Sequence, residues 1–331
     1  MNLTNFAQTI KQYSWIIITV VLLMVLLTLA FISLSPKTPT TQQTLEKPDL
    51  EILSQKTQSF ETQNVSLPQN YPASLPVYST NYSQDITESA PEISTKLGFT
   101  NPPIDVSDAL SGNGQLYTNE NNDALIIYPR NFTYQRIVNN PTDNNFGNVE
   151  KDKKDALNLI SSLGLPSDFA PQSREVYLKA TDDFLEETED PAEASLLKIT
   201  FYYQISGLPV FNPKYLVSAT FNKAGQLTNL TYFSLPLGSA SNAYQITTPQ
   251  QALQELQNGT ASLIELAPPN NYTVPPQNIK SASLESAELA YYLSPGAQTM
   301  QPVWIFKGTG DQGLELSYAV PAIDQKHFTR P

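Results

Sequence analysis

Apolar residues recur along the chain with two different periods, and each period predicts a different element. Apolar residues three or four positions apart form one face of a helix, whereas strict alternation is typical of a strand with one buried face. Helical spacing occurs in residues 86–99, where Gly98 is a stop signal, and in residues 149–165, where Gly164 ends the pattern. Two short helices are expected at these positions.

A third helix begins at the clearest start signal in the sequence. Thr248 is suited to be its N-cap, Pro249 to its first helical position, and Gln251 completes a T-x-x-Q capping box. The pair Asn258-Gly259 is expected to interrupt the apolar pattern that follows.

Alternating patterns follow each predicted helix. Residues 115–138 form a predicted hairpin with its turn at 119–123, and residues 196–237 give three or four strands with a turn at 222–225. Helices followed by runs of strands predict an α+β fold in which helices pack on antiparallel sheets. We therefore expect three successive helix-plus-sheet units, at residues 71–148, 149–245 and 246–331.

An apolar run, Trp15–Leu34, extends over 20 residues without a charge, which is the length that a helix needs to cross a ~30 Å hydrocarbon core. It predicts a single-pass membrane helix in contact with the lipid bilayer, behind a short cytoplasmic tail at residues 1–14. A cleaved signal peptide is the alternative, although its apolar region is typically shorter. Residues 35–70 are rich in Thr, Gln, Ser and Pro, and they predict a flexible stalk that carries an extracytoplasmic domain at the cell membrane.

Composition removes most kinds of chemistry. The formal net charge is −12 and only 15% of residues are charged, which argues against a nucleic-acid partner. The chain has no cysteine, so thiolate metal sites are excluded. Its one histidine is His327, so a Ser-His-Asp triad would need this residue. No cofactor is expected, and the protein is expected not to be an enzyme. Catalysis by carboxylates alone is the remaining enzymatic alternative. Its candidates are Glu285, Glu288 and Glu315, whose spacing marks no pair.

Two motifs invite a sharper interpretation. A G-x-G-x-x-G at Gly308, Gly310 and Gly313 is followed by an alternating strand pattern and not by a helix, so no nucleotide is expected there. The glycines are expected to give a hairpin turn its positive φ angles. The acidic stretch 182–190 lacks the glycine of a calcium loop, and a solvated hairpin loop is favoured over calcium binding.

The aromatic strand around residue 202 is predicted to have two different faces. Ile199, Phe201 and Tyr203 point one way, and Tyr202 points the other way with its neighbours Thr200 and Gln204. One face is expected to be core, and the other is available for a partner because aromatic side chains are favoured in interfaces.

The same segments resemble the YycH/YycI group of proteins, over roughly residues 196–320. The shared pattern is Y-x-x-x-G-x-P-V-F from Tyr203 to Phe211, then a glycine-led strand at 225–230, an A-L-x-x-L helix at 252–256 and a last pair of strands around Tyr291 and Trp304. Members of that group are single-pass extracytoplasmic proteins, related in build to PepSY-like modules, that restrain a sensor histidine kinase. The resemblance implies a regulatory protein with no catalytic activity.

Together these observations predict an accessory module that binds another envelope protein, and the resemblance implies that this partner is a sensor kinase. The alternative is a cell-surface protein that binds glycan or peptidoglycan. The candidate partner-binding residues, for which plain core packing is the alternative, are Tyr202, Tyr203, Pro209, Phe211, Tyr291, Tyr292 and Trp304.

Overall fold

The chain divides into two compact units, Met1–Gln43 and Thr44–Pro331. A computed structural model describes part of the second unit, namely residues 45–46, 48, 50, 56–138, 146–181, 185–211, 216–267, 278–294 and 296–328.

Strands dominate the described residues. The helices are α1 (Ala90–Lys96), α2 (Val149–Ser162) and α3 (Pro249–Gln257). The strands are β1 (Lys56–Glu61), β2 (Ser74–Thr80), β3 (Ile104–Asp108), β4 (Gly112–Thr118), β5 (Ala124–Tyr128), β6 (Asn131–Gln135), β7 (Phe169–Ala180), β8 (Leu185–Thr188), β9 (Leu196–Ile205), β10 (Leu208–Phe211), β11 (Val217–Asn222), β12 (Leu227–Phe233), β13 (Leu237–Gln245), β14 (Ser262–Ala267), β15 (Asn278–Tyr292), β16 (Thr299–Gly310) and β17 (Glu315–Pro321).

Two groups of strands form the main layers. Sheet I is antiparallel throughout, in the order β3-β4-β5-β6-β12-β11-β9-β7-β8. Sheet II is built around the long strand β15, which is followed in order by β16, β17 and β14, all antiparallel. On its other side β15 pairs in parallel with β1 near one end and with β10 near the other.

Strand β10 joins the two sheets, because it pairs with β9 of sheet I as well as with β15 of sheet II. A further strand pair is attached at the side, where β2 pairs with β13 and with the start of β16. All seventeen strands are thereby linked into one continuous pairing network.

Each sheet buries one face under short helices. Helices α1 and α2 place Ile93 and Ile160 against inward residues of sheet I such as Leu125, Phe132 and Ile199, all of which are fully buried. Helix α3 places Leu256 in a second core on sheet II, with a group of residues that includes Trp304, Phe306 and Tyr318. The alternation of apolar and polar residues in the strands selects these faces.

The predicted fold class is wrong. The protein is mostly a large mixed β-sheet, and the described residues do not form α+β helix-plus-antiparallel-sheet units of the PepSY/YycI type. The three α-helices of the described residues are short, and two of the pairings with β15 are parallel. Parallel partners lie far apart in sequence, so local alternation carries no signal for them.

The expected serial units also share their sheets. Strand β6 pairs with β12 across the boundary predicted at residue 148, and β10 pairs with β15 across the boundary predicted at residue 245. Strands from different predicted units therefore pair with one another, and the three predicted units belong to one compact unit, Thr44–Pro331.

The flexible stalk predicted for residues 35–70 is not found in the described part of that range. Residues 56–61 form β1, where Phe60 packs edge-on against Tyr318 with ring centroids 5.1 Å apart. Leu45 and Leu50 are buried against sheet II and its flank. Thr and Phe suit a pleated surface when a neighbouring strand supplies the pairing, even in a segment of otherwise polar composition.

The prediction of a membrane anchor is also corrected. In the part of the chain that the structure describes, no helix is long and apolar enough to span a bilayer. The predicted span at residues 15–34 and the tail at residues 1–14 lie outside that part. This finding contradicts the single-pass and signal-anchor assignments and the localisation derived from them, while the contact with the lipid bilayer stays a prediction.

Candidate functional site

A cleft of about 580 Å³ opens where sheets I and II diverge from their common strand β10. We call it the inter-sheet cleft. One wall comes from β7, β9 and β10, and the floor comes from β14, β15, β16 and β17. A neighbouring cavity of about 240 Å³ continues it and shares four lining residues, Arg174, Tyr202, Phe211 and Glu265.

The wall contains three of the seven candidate partner-binding residues, Tyr202, Pro209 and Phe211. All three are half-buried. The faces predicted for β9 are confirmed, because Phe201 and Tyr203 are buried in the core while Tyr202 lies on the opposite side and lines the cleft.

Burial raises the pKa of the Tyr202 hydroxyl, and the negative charges of Glu265 and Glu288 raise it further against the opposing effect of Arg174. The side chain therefore stays neutral at physiological pH. It presents an aromatic ring and a hydrogen-bonding hydroxyl to the cleft.

The other four candidates are core residues. Tyr203 donates a hydrogen bond to the carbonyl of Phe233 at 2.7 Å, and Tyr291 donates one to the carbonyl of Pro76 at 3.0 Å. Trp304 is fully buried and donates its ring N–H to the carbonyl of Thr247 at 3.1 Å, and Tyr292 is 2% exposed. Buried side chains offer no surface, so the candidate site is restricted to Tyr202, Pro209 and Phe211.

The floor of the cleft is acidic because of a β-bulge in β15. Leu284 is paired with Gly308, but the next pair in register is Ser286 with Lys307, so Glu285 is an extra residue. Residues three apart lie on opposite faces of a regular strand, and one inserted residue reverses that rule. As a result Glu285 and Glu288 both face the cleft, while the core side receives Leu284 and Leu289.

A second bulge brings another carboxylate to the same floor. In β14 the register shifts between Leu263, which is paired with Tyr318, and Glu265, which is paired with Ser317. Leu263 is buried in the core of sheet II, whereas Glu265 lines the cleft. Without the shift, residues two apart would share one face.

Ion pairs and hydroxyl groups hold these carboxylates in place. Arg174 Nη1 lies 3.7 Å from Glu265 Oε1, and Ser317 donates a hydrogen bond to Glu265 Oε2 at 2.9 Å. Across the floor, the Lys307 ammonium lies 2.6 Å from Glu288. Thr309 donates a further hydrogen bond to Glu285 Oε1, at 2.8 Å.

The glycine motif belongs to this floor and has a steric role. A Cβ atom at Gly308 would lie 2.2 Å from the Ser283 carbonyl oxygen, so the bulged part of β15 approaches it too closely for any side chain. Only Gly313 of the three glycines has a positive φ angle, 74°. The expected hairpin role therefore applies to Gly313 and not to Gly308 or Gly310.

The acidic stretch 182–190 is built differently from a calcium loop in its described part. Residues 185–188 form β8, in which neighbouring carboxylates point to opposite faces. Residues 182–184 lie outside the described part of the chain. Among the described residues, no group of three or more His, Asp or Glu side chains is arranged to hold a metal ion, and this includes the floor of the cleft.

Comparisons with known proteins inform the fold alone. No protein-family model matches the sequence, and no curated protein matches it. An uncharacterized protein from Eubacterium rectale has a similar structure, with a TM-score of 0.51 at 10% sequence identity. The similarity covers 82% of this chain and 90% of that chain, so the architecture recurs in a protein of very different sequence.

Proposed function

We propose that this protein is a non-enzymatic binding module, and that an extended polypeptide segment of a partner protein lies in the inter-sheet cleft. The observation that carries the proposal is the meeting of an aromatic wall, Tyr202 and Phe211, with an open strand edge, that of β14. Aromatic side chains and unpaired sheet edges are two features that protein interfaces use repeatedly.

The open edge supplies the backbone part of recognition. Strand β14 pairs with β17 on one side, and no residue-by-residue pairing on its other side is found within the described ranges. Its residues Ile264 and Glu265 line the cleft or the cavity beside it. A partner segment that adds a strand here satisfies the free N–H and C=O groups and places alternate side chains against the cleft.

The wall supplies the side-chain part. Tyr202, Pro209 and Phe211 are half-buried before any partner binds, so they are held in position by the packing of β9 and β10. Side chains that are already ordered lose little conformational entropy on binding, which favours affinity. The resemblance to the YycH/YycI group agrees with a regulatory role, in which holding a partner segment changes the partner's activity.

The test is selection of hexapeptides from a random display library against the full chain, followed by titration of one selected peptide. We expect Tyr202→Ala and Phe211→Ala each to weaken binding by about tenfold or more, which is typical of a buried aromatic contact. Tyr128→Ala is the matched control, since Tyr128 is a half-buried tyrosine on β5 outside the cleft. Hydrogen exchange of residues 262–267 is expected to slow when the peptide binds, because β14 gains a pairing partner.

Two results would contradict the proposal. One is the failure of any peptide to bind, and the other is binding that is unchanged in both aromatic variants and leaves exchange in β14 unaltered. Binding of oligosaccharides in place of peptides, lost in Tyr202→Ala, would instead favour the glycan alternative.

A further inference from the structure

We propose that the polypeptide segment in the inter-sheet cleft is basic, with Lys or Arg at every second position. The inference rests on the proposed function and specifies the charge of the partner segment and the spacing of its basic residues. It follows from the charge of the cleft and from the two-residue period of an added strand.

The lining of the cleft is strongly asymmetric in charge. Two cations, Arg174 and Lys307, face five carboxylates: Glu175, Glu265, Glu285, Glu288 and Glu315. A cationic partner is therefore the electrostatic complement of this surface, and a neutral or acidic partner is not.

Two of the five carboxylates have no cation of their own among the described residues. Glu285 accepts a bond from the neutral hydroxyl of Thr309, and Glu315 is paired in register with the same threonine from the other side. They lie on β15 and β17, the two strands that flank β16, and Ala267 of β14 is directly opposite Glu315. A cation on a strand added to β14 therefore comes close to Glu315, while Glu285 adds to the negative charge of the floor.

Glu288 and Glu175 are paired closely with Lys307 and Lys153, whereas the cation at Glu265 holds its carboxylate only loosely. Arg174 reaches Glu265 from the opposite wall at 3.7 Å, and the two side chains are 42% and 41% exposed. An ion pair so exposed is weak, and an incoming Lys or Arg can replace Arg174 at Glu265. Arg174 then competes with the ligand for Glu265, and its removal is expected to strengthen binding of the ligand.

Alternation follows from the geometry of strand addition. Glu265 is on β14, and a residue directly opposite it on an added strand lies on the same face, where opposite charges stabilise the pair. The next residue of the ligand points away from this acidic floor. The Tyr202 side chain also lines the cleft, and an aromatic ring attracts cationic side chains that approach its face.

The experiment titrates three end-capped peptides into the full chain: Lys-Val-Lys-Val-Lys-Val, its block isomer Lys-Lys-Lys-Val-Val-Val, and Gln-Val-Gln-Val-Gln-Val. We expect the alternating lysine peptide to bind about tenfold more tightly than either of the others. Its advantage over the glutamine peptide is expected to shrink when NaCl is raised from about 50 mM to about 300 mM, because salt screens exposed charges.

Matched variants separate this site from the general negative charge of the protein. The double variant Glu265→Gln with Glu315→Gln removes the two carboxylates nearest to the added strand and is expected to lower the affinity for the alternating peptide by about fivefold or more. The control double variant, Glu92→Gln with Glu120→Gln, removes the same net charge at exposed positions outside the cleft and is expected to leave the affinity unchanged. Arg174→Gln is expected to raise it.

The outcomes distinguish the two proposals. Equal or tighter binding of the glutamine peptide, equal binding of the block isomer, or an equal loss in both double variants overturns the inference and leaves the binding function standing. If none of the three peptides binds while library peptides do, the inference again falls alone. If neither binds, the proposed function falls with it.

Discussion

Asp152 on α2 is a buried carboxyl group whose Oδ2 atom has no hydrogen-bond partner among the described residues. Burial raises the pKa of this group, the nearby charge of Lys151 opposes the shift, and that of Asp155 adds to it. An acid whose pKa is higher in the folded than in the unfolded protein makes the fold less stable as it ionises. The contribution of Asp152 to stability is therefore greatest below the ordinary aspartate pKa, and it is lost as the pH rises from there through the higher folded value.

Asp152→Asn removes this ionisation. We expect the variant to be more stable than the native protein at about pH 7 and nearly equal to it at about pH 3, where this carboxyl group is largely protonated in both states of the native protein. Urea unfolding at several pH values measures the difference. Asp155→Asn is the control, because its carboxylate is exposed and pairs with Lys151 at 2.7 Å. That change is expected to cost less than about 1 kcal/mol. A constant difference between Asp152→Asn and the native protein across the pH range would refute the explanation.

At the same scale, part of the candidate site could be predicted from the sequence. Strand alternation correctly placed Tyr202 opposite Phe201 and Tyr203, which is why one member of the site was found from the sequence. The same alternation could not separate Tyr202 from Tyr291 or Trp304, since aromatic side chains serve cores as well as interfaces. Which face of a strand meets solvent depends on what packs against it.

At the scale of elements, local signals were reliable. The capping box of α3 forms between Thr248 and Gln251 as predicted, and α3 ends at Gln257, directly before the pair expected to interrupt it. The turns at 119–123 and 222–225 are confirmed between β4 and β5 and between β11 and β12. Each of these features is fixed by residues a few positions apart.

The acidic floor of the cleft could not be predicted from the sequence because it depends on β-bulges. Glu285 and Glu288 are three residues apart, and in a regular strand they would point to opposite faces. The bulge depends on the pairing of β15 with β16 and on the close approach permitted by Gly308. Such a register shift is a property of two strands, so neither strand's own sequence predicts it.

Gly308→Ala tests the role of the bulge. The added Cβ atom would meet the Ser283 carbonyl oxygen at 2.2 Å and the Leu284 Cα atom at 2.8 Å, so β15 must shift. We expect a loss of about 1–3 kcal/mol of stability in urea unfolding, as for other overpacked sites. Gly147→Ala is the control, because a Cβ atom there has no neighbour within 4 Å. Its effect is expected to stay within about 0.5 kcal/mol. Equal effects of the two substitutions would show that the contact does not constrain β15.

At the scale of the described unit, the cleft is a consequence of how two sheets share one short strand. Val210 on β10 is 1% exposed in the core of sheet I, while its backbone pairs with Tyr291 of sheet II. A strand shared in this way fixes the angle at which the sheets diverge. Packing that connects both layers also predicts that they unfold together, as cooperative single domains do.

Val210→Ala tests that coupling. Removal of two buried methyl groups is expected to cost roughly 2 kcal/mol, and both sheets are expected to lose it in a single transition. In a Trp15→Phe background the fluorescence of Trp304 reports on sheet II, and amide exchange of Leu197 and Ile199 reports on sheet I. Val106→Ala is the control, since Val106 is half-exposed on the edge strand β3 and belongs to no core cluster found among the described residues.

The opposite result would be different urea midpoints for the two probes in Val210→Ala, with one sheet unfolding at a lower urea concentration than the other. The sheets would then be independent layers, and β10 would connect them without coupling their stability. The cleft would then change shape with each sheet separately. A common shift means that the angle between wall and floor is set by the packing around β10, which keeps Tyr202 facing the carboxylates of β14 and β15 before any partner arrives. Such pre-organisation lowers the entropic cost of binding, and it depends on Val210 as much as on the residues that line the cleft.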